Sequence, residues 1–312
     1  MHPGVHFNFS MHTSCSLGND FHMSANTTAP SDVAIITVSY NSSAQLADFL
    51  TSAMESVASP SQIFVVDNNS ADIDVTEKLT KKLGVNLLKL DKNVGYGSAV
   101  NNAVPVLPTE FTTLLVSNPD SELNPETVTA LRSAVQDNKV GVAGPRIYNE
   151  DGSVYPSARS IPSIRNGVGH ALFANIWLSN PWTKNYLSEA HLQNKTVATG
   201  WVSGACLAVR RDLFTQVGGF DDHYFMYFED VDLGYRLGKL GYTNLYVPEV
   251  SITHIGGEST KAIKKTMLRI HHESAMRFIQ VKYKGILWAP VRGVIRLGLA
   301  LRFWLQARKA TT

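Results

Sequence analysis

A chain of 312 residues with 44% hydrophobic content has ample material for one large domain or two packed ones, which excludes a disordered chain. Only two cysteines, Cys15 and Cys206, are present; they exclude a disulfide framework and point to a reducing compartment. The net charge of +2 hides an asymmetry: residues 261–312 carry 12 Lys/Arg against one acid, Glu273, giving +11 there and −9 in the rest. An acidic body with a basic tail suits an anionic partner.

Residues 1–31 are polar, lack the apolar stretch of a secretory signal, and are expected to form a flexible tail. An apolar run over 33–39 predicts a buried strand, followed by turn and N-cap chemistry at Tyr40-Asn41-Ser42-Ser43 and a helix to about 57. A second strand over 63–66 ends at Asp67, a helix covers 75–83, and a third strand covers 85–90. The turn Asn93-Val94-Gly95-Tyr96-Gly97 leads into a helix over 99–104, and a strand over 112–116 ends at Ser117-Asn118-Pro119-Asp120. Pro125 suits the first turn of the next helix, and 140–143 reads as a strand. Strands alternating with helices predict right-handed βαβ units in a mainly parallel sheet, whose sites lie beyond the carboxyl ends of the strands. Asn41, Asp67, Asn93 and Asp120 all fall there.

Beyond residue 150 the pattern changes. Asp151-Gly152 reads as a hairpin turn, 161–191 as a helical insertion or loop, and 201–210 as a strand. A helix over 230–240 ends at Gly241, and 245–247 and 250–254 read as two short strands. From Lys261 the chain reads as helical to about Tyr283, and Pro290 interrupts a last apolar and basic segment over 286–305.

The stretch Tyr227-Phe228-Glu229-Asp230-Val231-Asp232-Leu233 packs three carboxylates among apolar side chains. Like charges that close resist burial, so they suggest proton or cation chemistry. One of them could serve as a general base, while Asp232 and Arg236, at i and i+4, also read as a helix salt bridge. Asp67 reads equally as an acceptor for a pyrimidine imide N–H or as an Asx turn. Asp120 reads as a ligand for Mg²⁺ or Mn²⁺ or as part of a β-turn. His254 alone reads more readily as structural than as a metal ligand. Gly204, in Trp201-Val202-Ser203-Gly204-Ala205, reads as a close backbone approach to a sugar or as a bulge. On a helical wheel Arg292, Arg296 and Arg302 share an arc of roughly 120°, with Leu287, Trp288, Ile295, Leu299, Phe303 and Trp304 as apolar surface. That pattern fits a helix lying on an anionic membrane, or one packed on the body. No nucleic-acid-binding motif accompanies the charge.

Taken in order, Thr37-Val38-Ser39-Tyr40-Asn41, Val65-Val66-Asp67-Asn68-Asn69-Ser70, Asn93-Val94-Gly95-Tyr96, Asn118-Pro119-Asp120, Trp201-Val202-Ser203-Gly204-Ala205 and Phe228-Glu229-Asp230-Val231-Asp232-Leu233 resemble family 2 glycosyltransferases. The Asn-Pro-Asp form is most similar to the bacterial rhamnosyltransferase subgroup, whose substrates include polyprenyl-diphosphate-linked N-acetylglucosamine. The resemblance implies a GT-A α/β fold over 32–260, with a nucleotide-binding half (32–145) and an acceptor half (146–260); the basic helical extension (261–312) carries no matching motif and is read from its own charge and pattern. It implies nucleotide contacts from Ser39, Asn41, Asp67, Asn93, Gly95 and Asn118, a divalent metal (Mn²⁺ or Mg²⁺) at Asp120 and His254, and Asp230 as catalytic base. Trp201, Gly204, Glu229 and Arg236 would contact acceptor or sugar. The first acid of the usual metal motif is replaced by Asn118, leaving fewer charged ligands. The Gln-x-x-Arg-Trp motif of processive relatives is absent, which favours single sugar addition.

The expected reaction is inverting transfer of a deoxysugar, L-rhamnose from dTDP-rhamnose, to a lipid-linked acceptor. The expected location is cytoplasmic, on the inner face of the cell membrane through residues 261–312. A galactofuranosyl or other UDP-sugar transferase, a nucleotidyltransferase and a non-catalytic sugar-nucleotide binder remain as alternatives, and a homodimer through the C-terminal helices is compatible with the pattern.

Overall fold

The computed structural model describes residues 29–164, 193–255 and 264–309. The N-terminal tail with Cys15, most of the 161–191 insertion and the start of the basic tail at Lys261 lie outside these residues. Described elements are numbered in chain order. The first half contains β1 (Val33–Ser39), α1 (Ser43–Glu55), β2 (Ile63–Asp67), α2 (Ile73–Leu83), β3 (Asn86–Lys89), α3 (Tyr96–Ala103) and β4 (Thr113–Ser117). Next come β5 (Ser121–Glu122), α4 (Pro125–Val135), β6 (Val140–Asn149), β7 (Val154–Tyr155) and β8 (Ala158–Arg159). The second half contains β9 (Val197–Thr199), β10 (Trp201–Val202), β11 (Cys206–Arg210), α5 (Arg211–Gln216), α6 (Glu229–Lys239), β12 (Thr243–His254), α7 (Lys264–Lys282) and α8 (Ala289–Lys309).

The main sheet runs in the order β3-β2-β1-β4-β11-β6-β12-β5, with β7 beside β6 and β9 beside β12. β3, β2, β1 and β4 pair in parallel, as do β6 and β12, whereas β11 runs antiparallel between β4 and β6. The long strands thus share one direction apart from β11, as the alternating pattern predicts. Every residue of β1 is buried, because helices cover both faces of the sheet. Its side chains alternate between two cores: Val33 and Ile35 join Leu46, Phe49 and Leu131 on one face. Ala34, Ile36 and Val38 join Val100, Leu114 and Phe214 on the other. Asn124 starts α4, its side chain accepting from Thr127 N–H with Pro125 in the first turn.

Three elements differ in continuity from the sequence reading. The 201–210 strand is broken into β10 and β11, separated by Ser203-Gly204-Ala205. The two short strands over 245–254 are one strand, β12, with a shift in register against β6 between Val247 and Ser251. Pro290 does not interrupt the last helix; it is the second residue of α8, where its missing N–H has no helical acceptor to lose.

β5 pairs antiparallel with the end of β12, setting Ser121 opposite His254. Cys206 at the start of β11 lies opposite Ser117 at the end of β4. Strand ends 39, 67, 89 and 117, the 203–205 turn and the end of β12 therefore meet at one edge of the sheet. A third, smaller core of Tyr224, Val231 and Phe278, with Trp201, Phe228 and Tyr235 against it, ties α7 to the segment that enters α6.

Candidate active site

Two clusters share this edge. In the first, Asp67 is 1% exposed. Its Oδ1 accepts from Ser70 N–H, as an Asx turn would, while its Oδ2 is buried with no donor. An unsatisfied buried carboxylate oxygen is expensive and marks a place for an incoming N–H. Asn41, at φ 53°, accepts on its side-chain oxygen from Ala71 N–H and donates its own N–H to Ser70 Oγ. Ser39 Oγ lies 3.1 Å from Ser42 Oγ. Asn68 links this turn to the next: its amide donates to Asn93 Oδ1 and Gly95 carbonyl and accepts from Val94 N–H. Gly95 sits at φ 89°, and a Cβ there would collide with the Phe225 carbonyl oxygen. Only glycine fits that approach, which lets Tyr96 N–H bond the same carbonyl at 3.0 Å.

The second cluster holds the acids. Asp230 Oδ2 accepts from Gly204 N–H at 2.9 Å and its Oδ1 from Val231 N–H at 2.7 Å. Gly204 carbonyl in turn accepts from the Tyr96 hydroxyl at 2.9 Å, so Tyr96 spans the two clusters. Glu229 is buried, with Oε2 unsatisfied. Burial, and then the charge of Asp230, push the Glu229 carboxyl up to about 8. Burial also raises Asp230, but its two backbone N–H donors oppose the shift. Asp230 is therefore the member that ionises first and Glu229 the one that keeps its proton. Tyr96 and Tyr155 titrate above the ordinary tyrosine range, through burial and then the nearby acids, Glu229 for Tyr96 and Asp230 for Tyr155. The segment leading to these acids carries two non-glycine residues at positive φ, Tyr227 (66°) and Phe228 (69°). Such conformations are held only by surrounding packing, and they cluster at active sites.

Asp120 Oδ1 is buried and receives no hydrogen bond, yet it lies 3.1 Å from His254 Nε2. The same nitrogen is 3.1 Å from the Asn118 side-chain amide. With Nε2 unprotonated and its lone pair released from that amide, the imidazole nitrogen and the carboxylate oxygen are two acceptors in contact. A cation between two such acceptors relieves the repulsion, so the residues fit a divalent ion. Among the described residues no group of three His, Cys, Asp or Glu surrounds one centre, so other ligands would come from substrate oxygens and water.

Arg236 is not brought to this centre. Its guanidinium donates to Asp232 Oδ2 at 2.6 Å and to the Val217 and Gly219 carbonyls, so the i, i+4 pair is the structural one. Trp201 is packed in the third core beside Ile161, Phe228 and Tyr235. Cys206 is buried and its thiol pushed up to about 12 by burial, which leaves it unreactive. Sequence reasoning passed over Tyr96, Asn68 and Tyr155. The first two lie inside motifs already singled out. Tyr155, whose ring is 6.0 Å from that of His254, gives no local signal at all.

A family model described as "Glycosyltransferase like family 2" matches residues 30–271. The chain is 38% identical over 286 residues, 88% of its length and 93% of the relative's, to N-acetylglucosaminyl-diphospho-decaprenol L-rhamnosyltransferase of Mycobacterium tuberculosis. It is 32% identical over 99 residues, 32% of this chain and 37% of the relative, to rhamnosyltransferase WbbL of Escherichia coli. Among solved structures, a mannosyltransferase from Pyrobaculum calidifontis in complex with GDP-Man and Mn²⁺ superposes with TM-score 0.55 at 16% identity, over 89% of this chain and 75% of that one. TarS of S. aureus superposes with TM-score 0.51 at 14% identity, over 87% and 80%.

Proposed function

The chain belongs to glycosyltransferase family 2 and has the GT-A fold, and from that premise we propose that it transfers L-rhamnose from dTDP-rhamnose to a polyprenyl-diphosphate-linked N-acetylglucosamine acceptor. The observation that carries the sugar and the acceptor is the 38% identity over 93% of a relative whose name states both; the dTDP donor rests on the motif resemblance.

Asp230 is the proposed base. It takes the proton of the acceptor hydroxyl as that oxygen forms its bond to the anomeric carbon. The bond from that carbon to the diphosphate oxygen breaks, and its electron pair leaves with the nucleotide. A single displacement inverts the anomeric centre, and one carboxylate suffices. Gly204 N–H and Val231 N–H aim the carboxylate, and Tyr96 fixes Gly204. Protonated Glu229 beside it keeps a second negative charge away from the departing diphosphate. Asp67 Oδ2 would receive the imide N–H of the pyrimidine. Asp120 and His254, with Asn118, would hold Mn²⁺ or Mg²⁺, which when bound neutralises the charge on the leaving diphosphate.

We also assign residues 261–312 to the inner membrane surface. Among the described residues no helix is long and apolar enough to cross a membrane. Yet Ile286, Leu287, Val294, Leu297 and Leu301 are exposed by 58–89%, beside a tail with a large excess of arginine and lysine. That combination favours an interfacial helix.

The deciding experiment is calorimetric titration of dTDP-rhamnose, UDP-galactose and UDP-N-acetylglucosamine, each with Mn²⁺ and with EDTA. Tight, metal-dependent binding of dTDP-rhamnose alone is expected. Preference for a UDP-sugar would overturn the donor.

A further inference from the structure

We propose that the seam between α7 and α8 is a binding site for a diphosphate carried on an apolar chain, the anionic part of the acceptor; this rests on the lipid-linked acceptor proposed above. The seam encloses a groove of about 350 Å³, within the usual size of small-ligand sites, roughly 300–1,000 Å³. Arg269, His272, Arg277 and Arg296 line it together with Glu273, and Leu299 and Phe303 add apolar lining.

Two nitrogens of this lining lack partners that their burial calls for. His272 is only 9% exposed, and its Nδ1 makes no hydrogen bond. Arg277 is tied to Asp221 through Nη2 at 2.9 Å, but its Nε is buried with no acceptor. Buried donors in that state call for an acceptor from outside the chain. Charge says which kind. Arg269 has Glu273 at 3.3 Å and Arg277 has Asp221, whereas Arg296 makes no ion pair among the described residues. Burial and then Arg302 depress His272, while burial, then His272 and last Arg302 depress His271. Of the three arginines lining the groove, Arg296 is thus the one whose charge is left unpaired, and an anion with several oxygens would meet it.

Position makes the anion the acceptor's. His271, one residue before His272, packs its ring 5.4 Å from Tyr227 and 5.5 Å from Phe228. Phe228 is followed directly by Glu229 and Asp230. A diphosphate in the seam is therefore held by the same helix turn that supports the catalytic acids. The apolar chain would lie along Leu299 and Phe303, while the exposed Val294, Leu297 and Leu301 occupy another face of α8, the one free to meet a bilayer.

The test is calorimetry on the full chain in EDTA with farnesyl diphosphate, inorganic diphosphate and phosphatidylglycerol vesicles, for wild type, Arg296→Gln and Arg269→Gln. Farnesyl diphosphate should bind wild type more tightly than inorganic diphosphate does. Each variant should weaken it by at least about tenfold, as expected for one lost charge-assisted hydrogen bond, with dTDP affinity unchanged. Equal farnesyl diphosphate affinity in both variants overturns the proposal. So does a loss confined to the vesicles, which would make the seam a general headgroup surface. No sugar enters this experiment, so a wrong donor assignment would leave its outcome intact and be seen only in the donor titration.

Discussion

At the scale of single residues, Glu229 and Asp230 are adjacent acids that the fold treats differently. Asp230 is given two backbone N–H donors; Glu229 is given burial and a negative neighbour. Asp230→Asn keeps the shape and removes the base. Transfer to the lipid acceptor should fall by at least about 10²-fold, while nucleotide affinity by calorimetry stays within a few-fold. Retained turnover would refute the assignment. The raised Glu229 carboxyl also carries a stability signature. Its folded value of about 8 lies above the ordinary 4.5, so the folded state holds a proton that the unfolded chain releases between those limits. The stabilising contribution is complete below 4.5 and is lost as pH rises through about 8. Glu229→Gln is neutral throughout and should be more stable than wild type at pH 8, by about 1.4 kcal/mol for every tenfold by which folding tightens the hold on that proton, with the difference vanishing near pH 4.5. Urea unfolding at the two pH values checks this; parallel curves would mean that Glu229 ionises freely. Asp67, Asp120, His254 and Asp230 were visible in the sequence because each ends a strand or opens a helix. The pairing of Asp120 with His254 was suggested there only by family resemblance, since nothing local marks contact between residues so far apart.

Among the elements, α7 does more than its sequence suggests. Phe278 is fully buried, with its ring 5.8 Å from Phe228 and 5.7 Å from Tyr235. Ser274 Oγ donates to the Met226 carbonyl. This packing holds Tyr227 and Phe228 in the left-handed region. Phe278→Ala should cost about 3–5 kcal/mol of stability. Where the variant still folds, kcat should drop more than donor KM rises, because the acids rather than the nucleotide turn lose support. Steady-state kinetics at low temperature separates the two. The extension read from the sequence as a tail is thus in part a structural wall of the site. Its basic composition gave no hint of this, because the residues that brace Met226, Tyr227 and Phe228 are His271, Ser274 and Phe278. The errors over β12 and α8 have one source. Proline and a change in alternation read as breaks, whereas tertiary pairing carries β12 across a bulge and α8 accommodates Pro290 in its first turn.

For the whole molecule, the uneven charge and the exposed apolar residues of α8 lie on one extension. Replacing Leu297 and Leu301 by aspartate should abolish sedimentation with anionic liposomes, since each buried leucine contributes ~1.5–3 kcal/mol to insertion. Raising the salt should weaken wild-type binding only in part. Unchanged binding of the double variant would remove the membrane role.

The proposed metal site joins the chain across a long loop. Asn118 and His254 are 136 residues apart, and Asp120 meets His254 only because β5 closes on the final strand. A nascent chain therefore has no place for the ion until β12 has emerged and docked. Late assembly of this kind keeps the cation, and with it any hold on the donor diphosphate, out of every partly built form of the enzyme. Ion affinity would then report on completed folding, and the cation would stabilise the docked strand by binding to the finished form alone.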